Sequence, residues 1–137
     1  MQTIKKKRDN ILVVPEGIIS ETVKLFDFAF TCAKLHTNYN FILRAHPVIN
    51  TSLIIKHLLL KHKTVPDNIK ISSSSLLEDI NSSAYSLYRG SAAIIQIVLS
   101  GCYPIYFNDN NEKNYDPIRF AFNSSNYINN PKTLLSF

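Results

Sequence analysis

The residues best suited to chemistry lie in short polar clusters, each placed directly after an apolar run. Arg89-Gly90-Ser91 follows Ala84 to Tyr88 and precedes an apolar stretch that begins at Ala92. A glycine there lets a ligand approach the backbone. The exposed amides and dipole of a starting helix favour a phosphate, Ser91 adds a hydroxyl, and Arg89 adds a charge-assisted contact. The plain alternative is a helix cap at Ser91 and a surface charge at Arg89. Arg44-Ala45-His46-Pro47 follows Phe41-Ile42-Leu43. Proline holds the residue before it extended and keeps a helix from starting there. His46 is suited to donate to a phosphate oxygen, or to act as an acid or base near neutral pH. Taken alone, it reads equally as a histidine satisfied by neighbouring backbone.

Three further clusters are weaker. In Pro15-Glu16-Gly17, Glu16 could meet a ribose or another hydroxyl, with Gly17 beside it. In Ser72 to Ser75, Ser73 could line a ligand, although such a run more often makes a loop and the cap of the next helix. Gln96 interrupts an otherwise apolar helix from Ala92 to Leu99 and could reach back toward a ligand. His36, His57 and His62 read as surface residues, and Glu78 and Asp79 as solvent-facing. No His, Cys, Asp or Glu spacing resembles a metal site. The chain has no GxGxxG and no P-loop, which argues against a dinucleotide enzyme or an NTPase.

These clusters need a scaffold that brings strand ends together. Ile11 to Val14 is a short β-branched run of the kind buried on both faces of a sheet. Ser20 is the expected cap of a helix in which Val23, Phe26, Phe30 and Ala33 recur, with Lys24, Asp27, Thr31 and Lys34 opposite. Further strands are expected at Phe41–Leu43, Ile69–Ile71, Ala84–Tyr88 and Pro104–Phe107. Helices are expected after Thr51 or Ser52, through Leu76 to Ile80, and from about Ala92 to Ser100. Gly101 stands where a helix C-terminal glycine belongs. Beyond Phe107 the chain is rich in asparagine: Asn108 to Asn114 reads as a loop and Asn123 to Asn130 as irregular. Asn130-Pro131 reads as a cap followed by proline in the first turn of a last helix. Strands alternating with helices imply an α/β fold, a parallel sheet of five strands in the order 3-2-1-4-5 with helices on both faces. Ligands in such sheets bind beyond the carboxyl ends of the strands, where the strand order reverses. Here that lies between the first and fourth strands, beside the polar clusters.

Length and charge bound the rest. The 137 residues suit one domain, and 45% hydrophobic content is that of a globular chain. The net charge is +5, of which Lys5, Lys6, Lys7 and Arg8 less Asp9 supply +3. Residues 1–10 therefore read as a basic tail and 11–137 as a nearly neutral domain. The tail is either a solvated segment or an attraction to an anionic membrane surface or nucleic acid, and four charges give only weak, salt-sensitive binding. Met1 to Arg8 lacks the apolar stretch of a signal peptide. Cys32 and Cys102 lie far apart, as expected of a reduced, cytoplasmic chain.

Taken together, the segments resemble the C-terminal, donor-binding half of a GT-B glycosyltransferase. The likeness is to bacterial surface-polysaccharide enzymes, including CDP-glycerol glycerophosphotransferases and bacterial sialyltransferases. It rests on His46-Pro47 after an early strand, on Gly90-Ser91 turning into a helix, and on Gly101-Cys102-Tyr103-Pro104-Ile105 leading into a strand. It covers about Ile11 to Phe107. The resemblance implies a Rossmann-like domain that binds a nucleotide sugar or CDP-alcohol as substrate, with no other cofactor, no metal and no nucleic acid. It makes His46 the catalytic residue that binds the donor phosphate. Ser91 would cradle the same group, with Arg44, Arg89, Gly90, Glu16, Gly17 and Ser73 around the donor. Gln96 stands where the family often carries an acidic residue for the donor ribose. An N-terminal half would hold the acceptor, so the chain is expected to be an excised domain or a subunit needing a partner. It would be inactive alone and would work in the cytoplasm at the inner face of the membrane. A non-catalytic ligand- or partner-binding module, or half of a GT-B-like sugar-nucleotide epimerase, remains the alternative.

Overall fold

The structure, a computed structural model, describes residues 7–108 and 127–134. In chain order the elements are β1 (Lys7–Val14), α1 (Ile19–Leu35), β2 (Asn40–Leu43), α2 (Thr51–His62) and β3 (Ile69–Ile71). They continue with α3 (Leu76–Ser82), β4 (Ser83–Tyr88), α4 (Ala93–Leu99), β5 (Tyr103–Phe107) and β6 (Tyr127–Ile128), then a 3₁₀ turn at Pro131–Thr133. The sheet order is β3-β2-β1-β4-β5-β6, and every pairing is parallel. The five-strand order expected from the sequence is therefore present, extended at one edge by β6. That strand has two residues, too few for an alternating pattern to mark it within the Asn123–Asn130 stretch. The expected loop at Asn108 to Asn114 lies, after Asn108, outside the described residues.

β1 begins at Lys7, ahead of its apolar run, because sheet pairing continues into its polar half. Lys7 is in register with Ser83 and Asn10 with Asn40. Asn10 accepts from Asn40 Nδ2 at 3.2 Å and donates to the Ser82 carbonyl at 3.1 Å, so its buried amide is satisfied.

The apolar half of β1 serves two cores. Ile11 and Val13 face one cluster with Leu25, Phe26, Ala29 and Leu58 of α1 and α2. Leu12 and Val14 face the other, with Ile80 of α3 and Ile94 and Ile97 of α4. Alternate side chains on a strand point to opposite faces, so a continuous apolar run fits a strand covered on both sides.

Two helix ends behave as the sequence implies. Gly101 takes φ 91°, and the Gly101 and Cys102 amides donate to Val98 and Ile97 carbonyls, which closes α4. Ser75 accepts from the Glu78 amide and caps α3. Ser20 does not cap α1. The helix starts at Ile19 without a side-chain cap, and Thr22 Oγ1 bonds the Ile18 carbonyl at 2.9 Å. The expected last helix is the short 3₁₀ turn, capped by Asn130.

His62 is not a surface residue. It is buried between α1 and α2, with Nε2 2.6 Å from Asp27 Oδ1 and Nδ1 2.6 Å from Lys34 Nζ. A lysine ammonium has no acceptor, so Nδ1 takes its proton and Nε2–H donates to Asp27. Lys61 donates to the other Asp27 oxygen at 3.0 Å. Burial pushes the Asp27 carboxyl up, but the hydrogen bonds from His62 and Lys61 and the Lys61 charge outweigh it and hold the group below its ordinary 3.8. A depressed carboxyl stabilises the fold above its unfolded value and loses that contribution as pH falls through its folded value. Thermal melts from neutral pH to about pH 2 are expected to show a steeper acid-side fall in wild type than in Asp27→Asn. Parallel curves for the two proteins would show that this carboxylate does not link α1 to α2.

Candidate functional site

The crevice at the switch point is built by loops after three strands. It encloses about 250 Å³ and is lined by Val14, Pro15, Arg44, Ala45, His46, Pro47, Leu76, Ser91 and Ala93. These come from the carboxyl ends of β1, β2 and β4 and from the starts of α3 and α4. His46 and Ser91, expected on opposite loops, line the same crevice.

His46 is exposed, and its ring is fixed locally. The Val48 amide donates to Nδ1 at 3.3 Å, so the neutral ring carries its proton on Nε2. Gly17 packs against the ring, where an added Cβ would stand 3.1 Å from Cγ. The side chain is thus held with one nitrogen committed and the other left as a donor.

Ser91 Oγ accepts from the Ala93 amide at 3.2 Å, which closes the turn into α4. Gly90 permits a close approach, as expected, but what approaches is Glu16. A Cβ at Gly90 would meet Glu16 Oε2 at 2.5 Å and Oε1 at 2.6 Å. A protein carboxylate therefore lies against the turn read as a phosphate cradle.

Arg44 borders the crevice with its guanidinium turned toward α3. Nη1 lies 3.2 Å from Asp79 Oδ2 and donates to the Ser74 carbonyl at 2.6 Å. Asp79 is buried, not solvent-facing, and also accepts from the Ser72 hydroxyl. In the serine run, Ser72 and Ser75 make the side-chain bonds that order the loop, while Ser73 is exposed and outside the crevice lining.

Arg89 is neither a surface charge nor a crevice residue. It is 1% exposed, and its Nε lies 2.7 Å from Glu21 Oε2 in the first turn of α1. Its guanidinium sits 6.0 Å from the centre of the Phe107 ring, which stacks on Phe28. Strand alternation explains the position. Tyr85 and Leu87 face α1, and Arg89 keeps that phase beyond the end of β4. The same alternation was available in the sequence and would have turned Arg89 toward the α1 face, without naming its partner. Gln96 is exposed on α4, outside the crevice lining.

Among the described residues, no group of His, Cys, Asp and Glu is arranged to hold a metal ion. Nor is any helix among them long and apolar enough to cross a membrane. Neither a protein-family model nor a curated protein sequence matches the chain.

Removing one partner of a buried ion pair leaves the other charge uncompensated. Arg89→Met is expected to lower the free energy of unfolding by about 3 kcal/mol in urea titrations. Glu21→Gln/Arg89→Met should lose less than the two single losses combined. An Arg89→Met variant of wild-type stability would remove the structural assignment of this arginine.

Proposed function

We propose that the domain binds a nucleotide-activated donor, a nucleotide sugar or a CDP-alcohol. It would be the donor-binding half of a glycosyltransferase or glycerophosphotransferase of surface-polysaccharide biosynthesis. The observation that carries this reading is the meeting of His46 and Ser91 on one crevice at the switch point of a parallel sheet. In this reading Nε2–H of His46 donates to the donor phosphate. As the bond to the leaving phosphate breaks, charge builds on that oxygen, and a donor already aimed there stabilises it without reorganisation. Arg44 adds positive potential from its place beside the crevice, although its hydrogen bonds are given to Ser74 and Asp79. Glu16 would leave Gly90 when a phosphate arrives, because two anions cannot share that turn, and would then be free to meet a donor hydroxyl.

The crevice is smaller than the ~300–1,000 Å³ usual for small-molecule sites, at about 250 Å³. It suffices for a phosphate and part of a sugar, and the rest of the donor would need a second wall. No acidic residue lines it among those described. An acceptor-binding half would supply both the wall and the acceptor's base, at the cytoplasmic face of a membrane where surface glycans are assembled. A non-catalytic ligand-binding module is the second reading. One observation favours it: Ser73, Arg89 and Gln96, three of the expected donor contacts, lie outside the crevice lining.

CMP and UDP titrated into wild type and His46→Ala, followed by NMR, test the proposal. His46→Ala should bind about ten- to a hundredfold more weakly, the loss of a hydrogen bond to a charged group, while its melting temperature stays near wild type. Leu43→Ala, 1% exposed in the core, should instead cost about 2–5 kcal/mol of stability. Equal nucleotide affinities for wild type and His46→Ala, or a large melting-temperature drop in that variant, would make the histidine structural. Glu16→Gln should tighten nucleotide binding by removing the competing charge. Weaker binding in Glu16→Gln would instead put the carboxylate on the ligand from the outset.

A further inference from the structure

We infer that the outer face of α4 is an interface between two copies of this chain, paired antiparallel about a two-fold axis. The inference is independent of the donor reading. α4 buries Ile94 and Ile97 against the sheet. Its opposite face is apolar too. Leu99 is 83% exposed and Ile95 is 50% exposed, and Ala92 and Gln96 are exposed beside them. Ala92 has helical dihedrals at the start of α4. Residues 92, 95, 96 and 99 therefore form one stripe at the i, i+3, i+4, i+7 spacing. From Gly90 to Cys102 the chain contains no Asp, Glu, Lys, Arg or His. A helix that is apolar all round is one that is covered all round.

Charge, shape and hydrogen bonding each select a second copy as the cover. A two-fold contact sets a patch against itself, so any charge within it meets its own like. This stripe carries none, and it offers an acidic partner, a basic partner or an anionic lipid surface no ion to pair with. The stripe is also symmetric about the point between Ile95 and Gln96. Turning the helix end for end exchanges Ala92 with Leu99 and Ile95 with Gln96. An antiparallel copy thus seats the protruding Leu99 over the small Ala92 at both ends of the contact.

Gln96 is the only polar side chain in the stripe and takes no part in lining the crevice. Its amide is both donor and acceptor, so beside a two-fold axis it can pair with its own copy. An amide within an apolar helix seam fixes register in this way. Ser91 and Ala93, on either side of Ala92, line the crevice, so the paired copy stands at its rim. A helix of seven residues buries little area, and the dimer belongs with the small, weak interfaces.

Sedimentation equilibrium of the full chain, from about 10 μM to about 1 mM, tests the inference. A reversible monomer–dimer equilibrium is expected. Leu99→Ser should weaken it about tenfold or more, with far-UV circular dichroism unchanged because the side chain is exposed. Gln96→Glu and Gln96→Lys should each weaken it severalfold, because each sets like charges on either side of the axis. An equimolar mixture of those two variants should associate about as tightly as wild type. A chain that stays monomeric over the whole range would overturn the inference. So would a dimer that Leu99→Ser leaves intact, which would place the contact on another face. A mixture that associates no better than either charged variant alone would overturn it as well, because Gln96 would then not face its own copy.

Discussion

β1 is hydrogen-bonded to β2 on one side and β4 on the other, and its apolar half is covered on both faces. The rest of the structure depends on this double burial. A strand in that position must be left in one direction and rejoined from the other. The chain goes out through α1 to β2 and β3, then returns through α3 to β4 and on to β5. The loops after β1 and β2 consequently lead to helices on one side of the strand order, and the loop after β4 to the other. The crevice is the gap where they part. The turn after β1 stands at the middle of it, which is why Gly17 meets the His46 ring while Glu16 meets Gly90. A Cβ at Gly17 would crowd the His46 ring, and one at Gly90 would have to displace the Glu16 carboxylate.

The charged residues at the strand ends serve the frame first. Arg44 keeps the phase of Ile42 and turns to the α3 face, where Asp79 waits. Arg89 keeps the phase of Leu87 and turns to the α1 face, where Glu21 waits. A guanidinium without a carboxylate in such places would carry an uncompensated desolvation cost, so each is matched by an acid on the facing helix. His46 differs because it stands on a loop, beyond the reach of strand alternation. Its environment is a backbone amide and a glycine, and one ring nitrogen stays available. The two arginine pairs pin α3 and α1 beside the crevice and so fix the loop that presents the imidazole.

α1 and α2 carry a third polar arrangement, in which Asp27, His62 and Lys34 form one chain of hydrogen bonds. It lies on the inner side of α2, opposite the exposed leucines. The same helix therefore has a fixed, hydrogen-bonded inner face and a bare outer one.

Much of the fold was legible in residues 11–107, because periodicity is local. The run Ile11 to Val14 announced a strand covered twice, and the stripes of α1 and the glycine after α4 announced helices of the right length. The meeting of His46 with Ser91 followed from topology, since strand order decides which loops are neighbours. What the sequence by itself determined was therefore the elements, their order and the polar ends that surround the crevice. Only the tertiary structure decided which charges were spent inside it. Glu21 and Arg89, Asp79 and Arg44, and Asp27 and His62 are separated by 68, 35 and 35 residues. Each reads as a solvated polar residue until packing removes the water around it. Desolvation is a property of the assembled layers, and no spacing along the chain records it.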